Sequence, residues 1–390
     1  MTKQLTISEK WKLDADSYKM DESTLTAIPI CENCRYYLKG NVFHCEKYTE
    51  EEKPNDVVFP SKECPKFCSK NQIDLNIKTD YEQKLHGGFW GFILADAMGV
   101  PVEFTSRSER DKDPVKEIRA YGTYHQPYGS WSDDSSLMLC LMQNIVEGYS
   151  IDNLAKLFIK YLKEGYMTPY GRIFDIGSAT KRAIINMEKG MKPTLCGGVD
   201  EQDNGNGSLM RILPLAYYLR NEIPEKSIEL IQEISSLTHR HKRSVLACII
   251  YVEMAIQLIK GESKESAYSK TIRFIEDNCA NEFYSEFIYF NKILTGEIDK
   301  LRREKIKSTG YVVDTLEAAF WSFMTASDYK EAILTAINLG EDTDTIGAIT
   351  GGLAGLFYGY DNIPVTWLQY LPRRDKLLEQ INRFGLAVSM

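Results

Sequence analysis

No run of apolar residues in this chain approaches the roughly eighteen that a membrane span requires. The first twenty residues, MTKQLTISEKWKLDADSYKM, also lack the apolar centre of a secretory signal, so a cytoplasmic protein with no membrane partner is expected. A basic excess is missing too: 47 Lys and Arg face 55 Asp and Glu, a formal net charge of -8. That balance argues against broad nucleic-acid binding, and the local patch THRHKR (Thr238 to Arg243) reads as a solvated helix end. A disulfide framework is not expected, because nine cysteines are an odd number and a reducing compartment keeps thiols reduced. Clean two-residue alternation of apolar and polar residues, the mark of half-buried strands, is almost absent.

What is present is helical periodicity. NLAKLFIKYL, SVLACIIYVEMAIQLI and DTLEAAFWSFM place apolar residues three and four apart, so the main body is expected to be all-α. A chain of 390 residues can hold two or three domains. Five cysteines cluster between Cys31 and Cys68: a CxxC pair (Cys31, Cys34), Cys45 beside His44, and a CxxxC pair (Cys64, Cys68). Two short pairs separated by a loop can assemble four thiolate ligands, and so small a segment has little apolar material to fold without a staple. The expectation is one structural Zn2+ held by Cys31, Cys34 and two of Cys45, Cys64 and Cys68; plain free thiols are the alternative. After a polar connector the composition shifts at Tyr81, which divides the chain into a cysteine-rich segment, 1–75, and a helical body, 81–390. The remaining cysteines, Cys140, Cys196, Cys248 and Cys279, read as buried inert thiols.

Gly347, Gly351, Gly355 and Gly359 recur every four residues. On a helix this lines one face with hydrogen atoms and lets a neighbour approach closely. Since each interior glycine costs about 1 kcal/mol of helix stability, the row suggests tight central packing.

Two acidic stretches carry the chemistry. In GSWSDDSSLML, Ser132 or Asp133 can cap the apolar segment that follows, but Asp133 and Asp134 diverge by about 100° around a helix axis and cannot both be caps. In LGEDTDTIGAITGG, Asp342 and Asp344 follow Gly340 in what reads as an irregular turn. With Ser132 and Thr345 these four carboxylates form an all-oxygen set suited to Mg2+ or Mn2+ rather than zinc, and cations would relieve their mutual repulsion. Two further stretches frame such a site. Glu103 lies just past the helix stop expected at Gly99 and Pro101, where an acid is by default a surface residue. Asn206, Gly207 and Ser208 form a turn that could leave backbone N–H groups free at a helix start, a cradle for phosphate.

In order and spacing, GFWGFILADAMGVPVEF, GSWSDDSSLML, NGNGSLMRILPLA, SSLTHRHKRSVLAC and GEDTDTIGAITGGLAGLFYG closely resemble the ADP-ribosylglycohydrolases, over roughly residues 81 to 370. The resemblance implies a compact orthogonal helical bundle around two Mg2+ (or Mn2+) ions, and an activity that removes ADP-ribose from an ADP-ribosylated protein or other acceptor. Residue by residue, it implies metal ligation by Ser132, Asp133 and Asp134 and by Asp342, Asp344 and Thr345. Glu103 matches the acid after the first Gly-rich helix and, with Asp134, is the expected catalytic pair. Asn206, Gly207, Ser208 and Met210 match a loop that grips the diphosphate and distal ribose, and His239 a residue lining the pocket; by itself His239 reads as a core histidine bonded to backbone. Ser132 and Ser135 stand where threonine is usual but keep the hydroxyl, Glu341 adds an acid, and the cysteine-rich segment is outside the family core. The competing class is a relative that binds ADP-ribose or acts as a scaffold without turnover, which the full set of carboxylates disfavours. A third is a cysteine-rich recognition module with the helical body as its effector.

Overall fold

A computed structural model describes residue 77 and residues 79–389. The cysteine-rich stretch and its candidate zinc ligands lie outside them. Among the described residues there are fifteen α-helices and, in place of strands, three isolated β-bridges. The helices are α1 (Asp80–Gly99), α2 (Arg107–Lys112), α3 (Asp133–Val146), α4 (Ile151–Glu164), α5 (Ser178–Glu188), α6 (Pro214–Tyr218), α7 (Pro224–Ser235) and α8 (Lys242–Ile259). They continue with α9 (Lys264–Phe283), α10 (Asn291–Leu294), α11 (Val312–Thr325), α12 (Tyr329–Ile337), α13 (Thr343–Tyr358), α14 (Val365–Leu368) and α15 (Arg374–Ser389). The all-α expectation is met for this body.

Helix α1 starts at a capping box, in which Thr79 Oγ1 accepts from Glu82 N at 3.1 Å and the Glu82 carboxylate accepts from Thr79 N at 2.9 Å. From Lys84 to Gly99 every residue is buried, which is why the sequence is apolar all round rather than striped. Its main partner is α13, equally buried through Leu356. The pair is antiparallel: Gly87 faces Gly355, Gly91 faces Gly351, Ala95 faces Gly347 and Gly99 faces Asp344, each approach too close for a Cβ on the glycine. The glycine row thus does the packing expected of it, except that Gly359 lies past the helix end, where its φ of 83° terminates α13. The antiparallel register carries the exit of α1 to the entrance of α13.

Helix α1 runs on through Gly99 into a 3-10 turn, Val100–Val102, because Pro at the second position needs no N–H. Asp344 is inside the first turn of α13 rather than in an irregular turn, with Asp342 as its N-cap residue. The stretch after Gly207 makes only a 3-10 turn, Leu209–Arg211, and the short α6. Thr238, His239 and Arg243 of the basic patch are buried; Arg243 pairs with Glu286 at 2.9 Å and Glu201 at 2.7 Å, so the patch is not a solvated helix end throughout. Cys140, Cys196, Cys248 and Cys279 are buried and free. No helix among the described residues is long and apolar enough to cross a membrane.

Candidate active site

Four chain segments bring carboxylates to one cavity of about 620 Å3. Glu103, just past α1, and Asp133 and Asp134, in the first turn of α3, line it. So do Asp175, ahead of α5, and Asp342 and Asp344 at the start of α13. Helix N-termini carry partial positive charge, so carboxylates on the first turns of α3 and α13 are favoured there as long as water or donors solvate them.

Here donors are scarce. Asp133 Oδ2 accepts from Gly177 N at 3.3 Å, Asp342 Oδ2 from Asn206 Nδ2 at 2.6 Å, and Asp344 Oδ1 from Thr345 N at 2.9 Å. Tyr124 donates toward Glu103 and Asp175. Glu103 Oε2 and Asp134 Oδ2 are buried with no hydrogen-bond partner. Burial and then the neighbouring charges of Asp342 and Asp175 push the Glu103 carboxyl up to about 9. Burial first, and then neighbouring negative charge, led by Asp96 for Asp134 and by Glu103 for Asp344, hold both carboxyls well above the ordinary carboxylate range. One oxygen from each of Glu103, Asp175 and Asp344 lies within 4.8 Å of the others. Hard oxygens without donors, crowded this closely, fit divalent cations of the Mg2+ or Mn2+ kind.

The expected residues fall into three groups. Glu103, Asp133, Asp134, Asp342, Asp344 and Thr345 all line the cavity, as do Asn206, Gly207, Met210 and His239. Glu103 is 6% exposed, so the surface-residue alternative does not hold. Ser132 caps α3, its Oγ accepting from Asp134 N at 3.2 Å, and sits just behind the cavity wall. Ser208 is fully buried and outside the cavity lining, with its Oγ accepting from Cys248 Sγ at 3.4 Å; of the three N–H groups of the anticipated cradle, that of Asn206 donates to Gly310 O at 3.1 Å. His239 packs against Gly207, bonds Thr238 Oγ1 through Nδ1 at 2.8 Å, and is held down to about 3 by burial and by Arg211, so its ring is neutral.

Sequence reasoning missed Asp96, Asp175 and Tyr124. Asp96, fully buried on α1, accepts from Ser132 N at 2.9 Å, Ser135 N at 3.1 Å and Ser135 Oγ at 2.5 Å. It ties the acidic first turn of α3 to the central helix. The signal was visible as one carboxylate inside the apolar run FILADAMG. Asp175 sits in FDIGSAT, an acid just before a hydroxyl at a helix entrance, the same pattern as the two recognised stretches. Tyr124 lies in a loop with no periodicity to mark it.

A family model described as ADP-ribosylglycohydrolase matches residues 77–389. The chain is 30% identical to the ADP-ribosylarginine hydrolase Tri1 of Serratia proteamaculans, over 75% of this chain and 76% of the relative. It is 31% identical to the protein of the same name from Pseudomonas putida, over 73% and 72%. Against the ADP-ribosyl-[dinitrogen reductase] glycohydrolase of Rhodospirillum rubrum the identity is 27%, over 73% and 89%. A solved structure described as an ADP-ribosylglycohydrolase-related protein complex superposes with a TM-score of 0.66 at 25% identity, covering 79% of this chain and 99% of that one. With the matched model spanning the whole helical body and its acidic pocket, this chain belongs to the ADP-ribosylglycohydrolase family.

Proposed function

We propose that the chain is a metal-dependent hydrolase that cleaves the glycosidic bond between ADP-ribose and an arginine side chain of a modified protein. The observation that carries this reading is the convergence of seven carboxylates on one cavity, two of them with buried oxygens lacking any partner. Asp133, Asp134, Asp342, Asp344 and Thr345, with Ser132 behind them and Asp175 beside them, would hold two Mg2+ or Mn2+ ions. Such ions, when bound, supply Lewis acidity toward ribose hydroxyls and water.

The chain's own residues do the rest. Glu103 carries an unpartnered buried oxygen and, with the cavity free of cations, a carboxyl pushed up to about 9, and it is the group placed to hand a proton to a departing nitrogen or to exchange one with a water. Asp134, the second unpartnered acid, would be ionised once cations offset the charge crowded around it, and its carboxylate then faces the positive charge developing on the sugar. Gly207, with no Cβ, and Met210 admit the nucleotide along the wall. His239, being neutral, contributes shape and hydrogen bonding, not charge. Two observations support arginine as the acceptor. Two relatives at 30% and 31% identity are named for ADP-ribosylarginine. At the cavity mouth stand Phe104, 70% exposed, and the carboxylate of Glu341, an aromatic face and an anion suited to a guanidinium.

A release assay on a panel of ADP-ribose conjugates tests the reading. The wild-type chain with Mg2+ should free ADP-ribose from arginine faster than from serine, nucleic-acid or small-molecule linkages. Asp344→Asn should abolish release and lower bound metal while the far-ultraviolet signature of the helices persists. Binding of ADP-ribose with no release from any conjugate would make the chain a binder instead.

A further inference from the structure

Arg211 closes the 3-10 turn Leu209–Arg211 and is fully buried, 0% exposed, behind the cavity wall that carries Gly207, Met210 and His239. Its guanidinium donates from Nη1 to Gly207 O and from Nη2 to Ile234 O at 3.3 Å, and lies 5.1 Å from the ring of Phe158 on α4. Nε is buried with no partner. The atoms it bonds are thus neutral carbonyls, and the carboxylate whose charge reaches it is Asp133 of the cavity. Such a setting is costly for a cation: burial lowers the guanidinium to about 10, and carbonyls with a ring face offset its charge less than a carboxylate would. A neutral side chain could fill the same space, so packing by itself gives no reason for a charge here.

The cavity supplies the reason. Among the described residues, seven carboxylates line it and no Lys or Arg does. A diphosphate entering this space meets repulsion, which metal ions on the carboxylates would relieve on their side. At the wall of Gly207, Met210 and His239 the positive charge of Arg211 stands one hydrogen bond behind the surface, in surroundings too dry to screen it well. His239 cannot supply that charge, because burial and Arg211 itself keep its ring neutral. Gly207 is held from both directions: its carbonyl is bonded to the guanidinium, and a Cβ on it would come within 2.6 Å of His239 Cε1.

Building on the cavity as an ADP-ribose site, we propose that Arg211 is a positioning residue for the diphosphate. It fixes Gly207 against the ligand and places positive charge behind that wall, without touching the ligand itself.

Titration calorimetry on the full chain tests this with Arg211→Met, Arg211→Gln and Arg211→Lys, measuring Mg2+ binding and then ADP-ribose binding at saturating Mg2+. The two neutral variants should bind ADP-ribose weaker by about tenfold or more. Their Mg2+ affinity should stay equal or rise, because one positive charge fewer acts on Asp133. A loss of packing would instead weaken both ligands together. Arg211→Lys keeps the charge and should lie closer to wild type than to Arg211→Met. In turnover the neutral variants should raise KM for an ADP-ribosylarginine conjugate and leave kcat little changed. Parallel losses of Mg2+ and ADP-ribose affinity, unchanged ADP-ribose affinity, a lysine variant as weak as Arg211→Met, or failure of both neutral variants to fold would each overturn the proposal. A wild-type chain that binds ADP-ribose but releases it from no conjugate would remove the hydrolase function and leave this role of Arg211 standing.

Discussion

Gly91→Ala is the substitution that links the packing of this fold to its chemistry. A Cβ at that position sits 2.6 Å from Gly351 O and 2.9 Å from Tyr329 Cε2, where ordinary contact begins at 3.4 Å. The carbonyl belongs to a buried helix and cannot rotate away, so α1 and α13 must part by roughly 0.8 Å, and the Tyr329 ring, which holds Gly91 O at 2.7 Å, must shift as well. Overpacking of this kind costs about 1–3 kcal/mol, and the backbone obstacle puts Gly91→Ala at the upper end. Alanine's better helix propensity returns about 1 kcal/mol. A net loss of about 2 kcal/mol follows, on the order of 3 °C in Tm for a domain of this size. Turnover should fall further than stability, because α13 carries Asp342 and Asp344 and its displacement shifts them relative to Asp133 and Asp134; misplacement approaching 1 Å can lower a rate about 100-fold. At Gly355 the Cβ would meet Gly87 backbone alone, with no side chain to yield, so Gly355→Ala should be the more damaging of the two. Thermal melting and single-turnover release on both variants provide the check. Wild-type Tm and turnover in Gly91→Ala, or a milder Gly355→Ala, would refute the reasoning.

Three further outcomes are expected. Glu103→Gln should cut turnover about 100- to 10,000-fold, the usual range for a positioned proton, with metal occupancy and ADP-ribose affinity near wild type; equal losses of metal and turnover would make Glu103 a ligand. In chelator the folded chain should lose stability as pH rises from about 4 toward 9, since Glu103 keeps its proton up to about 9 while an unfolded Glu releases it near 4.5. Millimolar Mg2+ should restore stability by an amount that grows with pH, and melting curves across that range that ignore the metal would contradict the site. The segment 1–75 is proposed to hold one zinc through Cys31, Cys34 and two of Cys45, Cys64 and Cys68; elemental analysis finding no zinc, with all five thiols titratable in the native chain, would remove it.

What the sequence determined by itself was local in character. Apolar spacing of three and four settled the helical class, because it reflects which side of each helix is covered. The acid and hydroxyl residues at the entrances of α3 and α13 were legible because caps and carboxylates at helix starts are written in consecutive residues. The glycine row of α13 announced a close neighbour without saying which. Only the tertiary structure decided that the neighbour is α1, antiparallel, so that Glu103 is buried opposite Asp344 rather than exposed at a helix stop. It decided that Asp96, unremarkable inside an apolar helix, holds the N-cap and first turn of α3, Ser132 to Ser135, through three hydrogen bonds. It also decided that Asp175, 41 residues after Asp134, shares a pocket with it, and that Ser208 turns away from that pocket. The reason is physical: a carboxylate's role here depends on which donors and charges surround it, and those arrive from segments far apart in the chain, where no periodicity connects them.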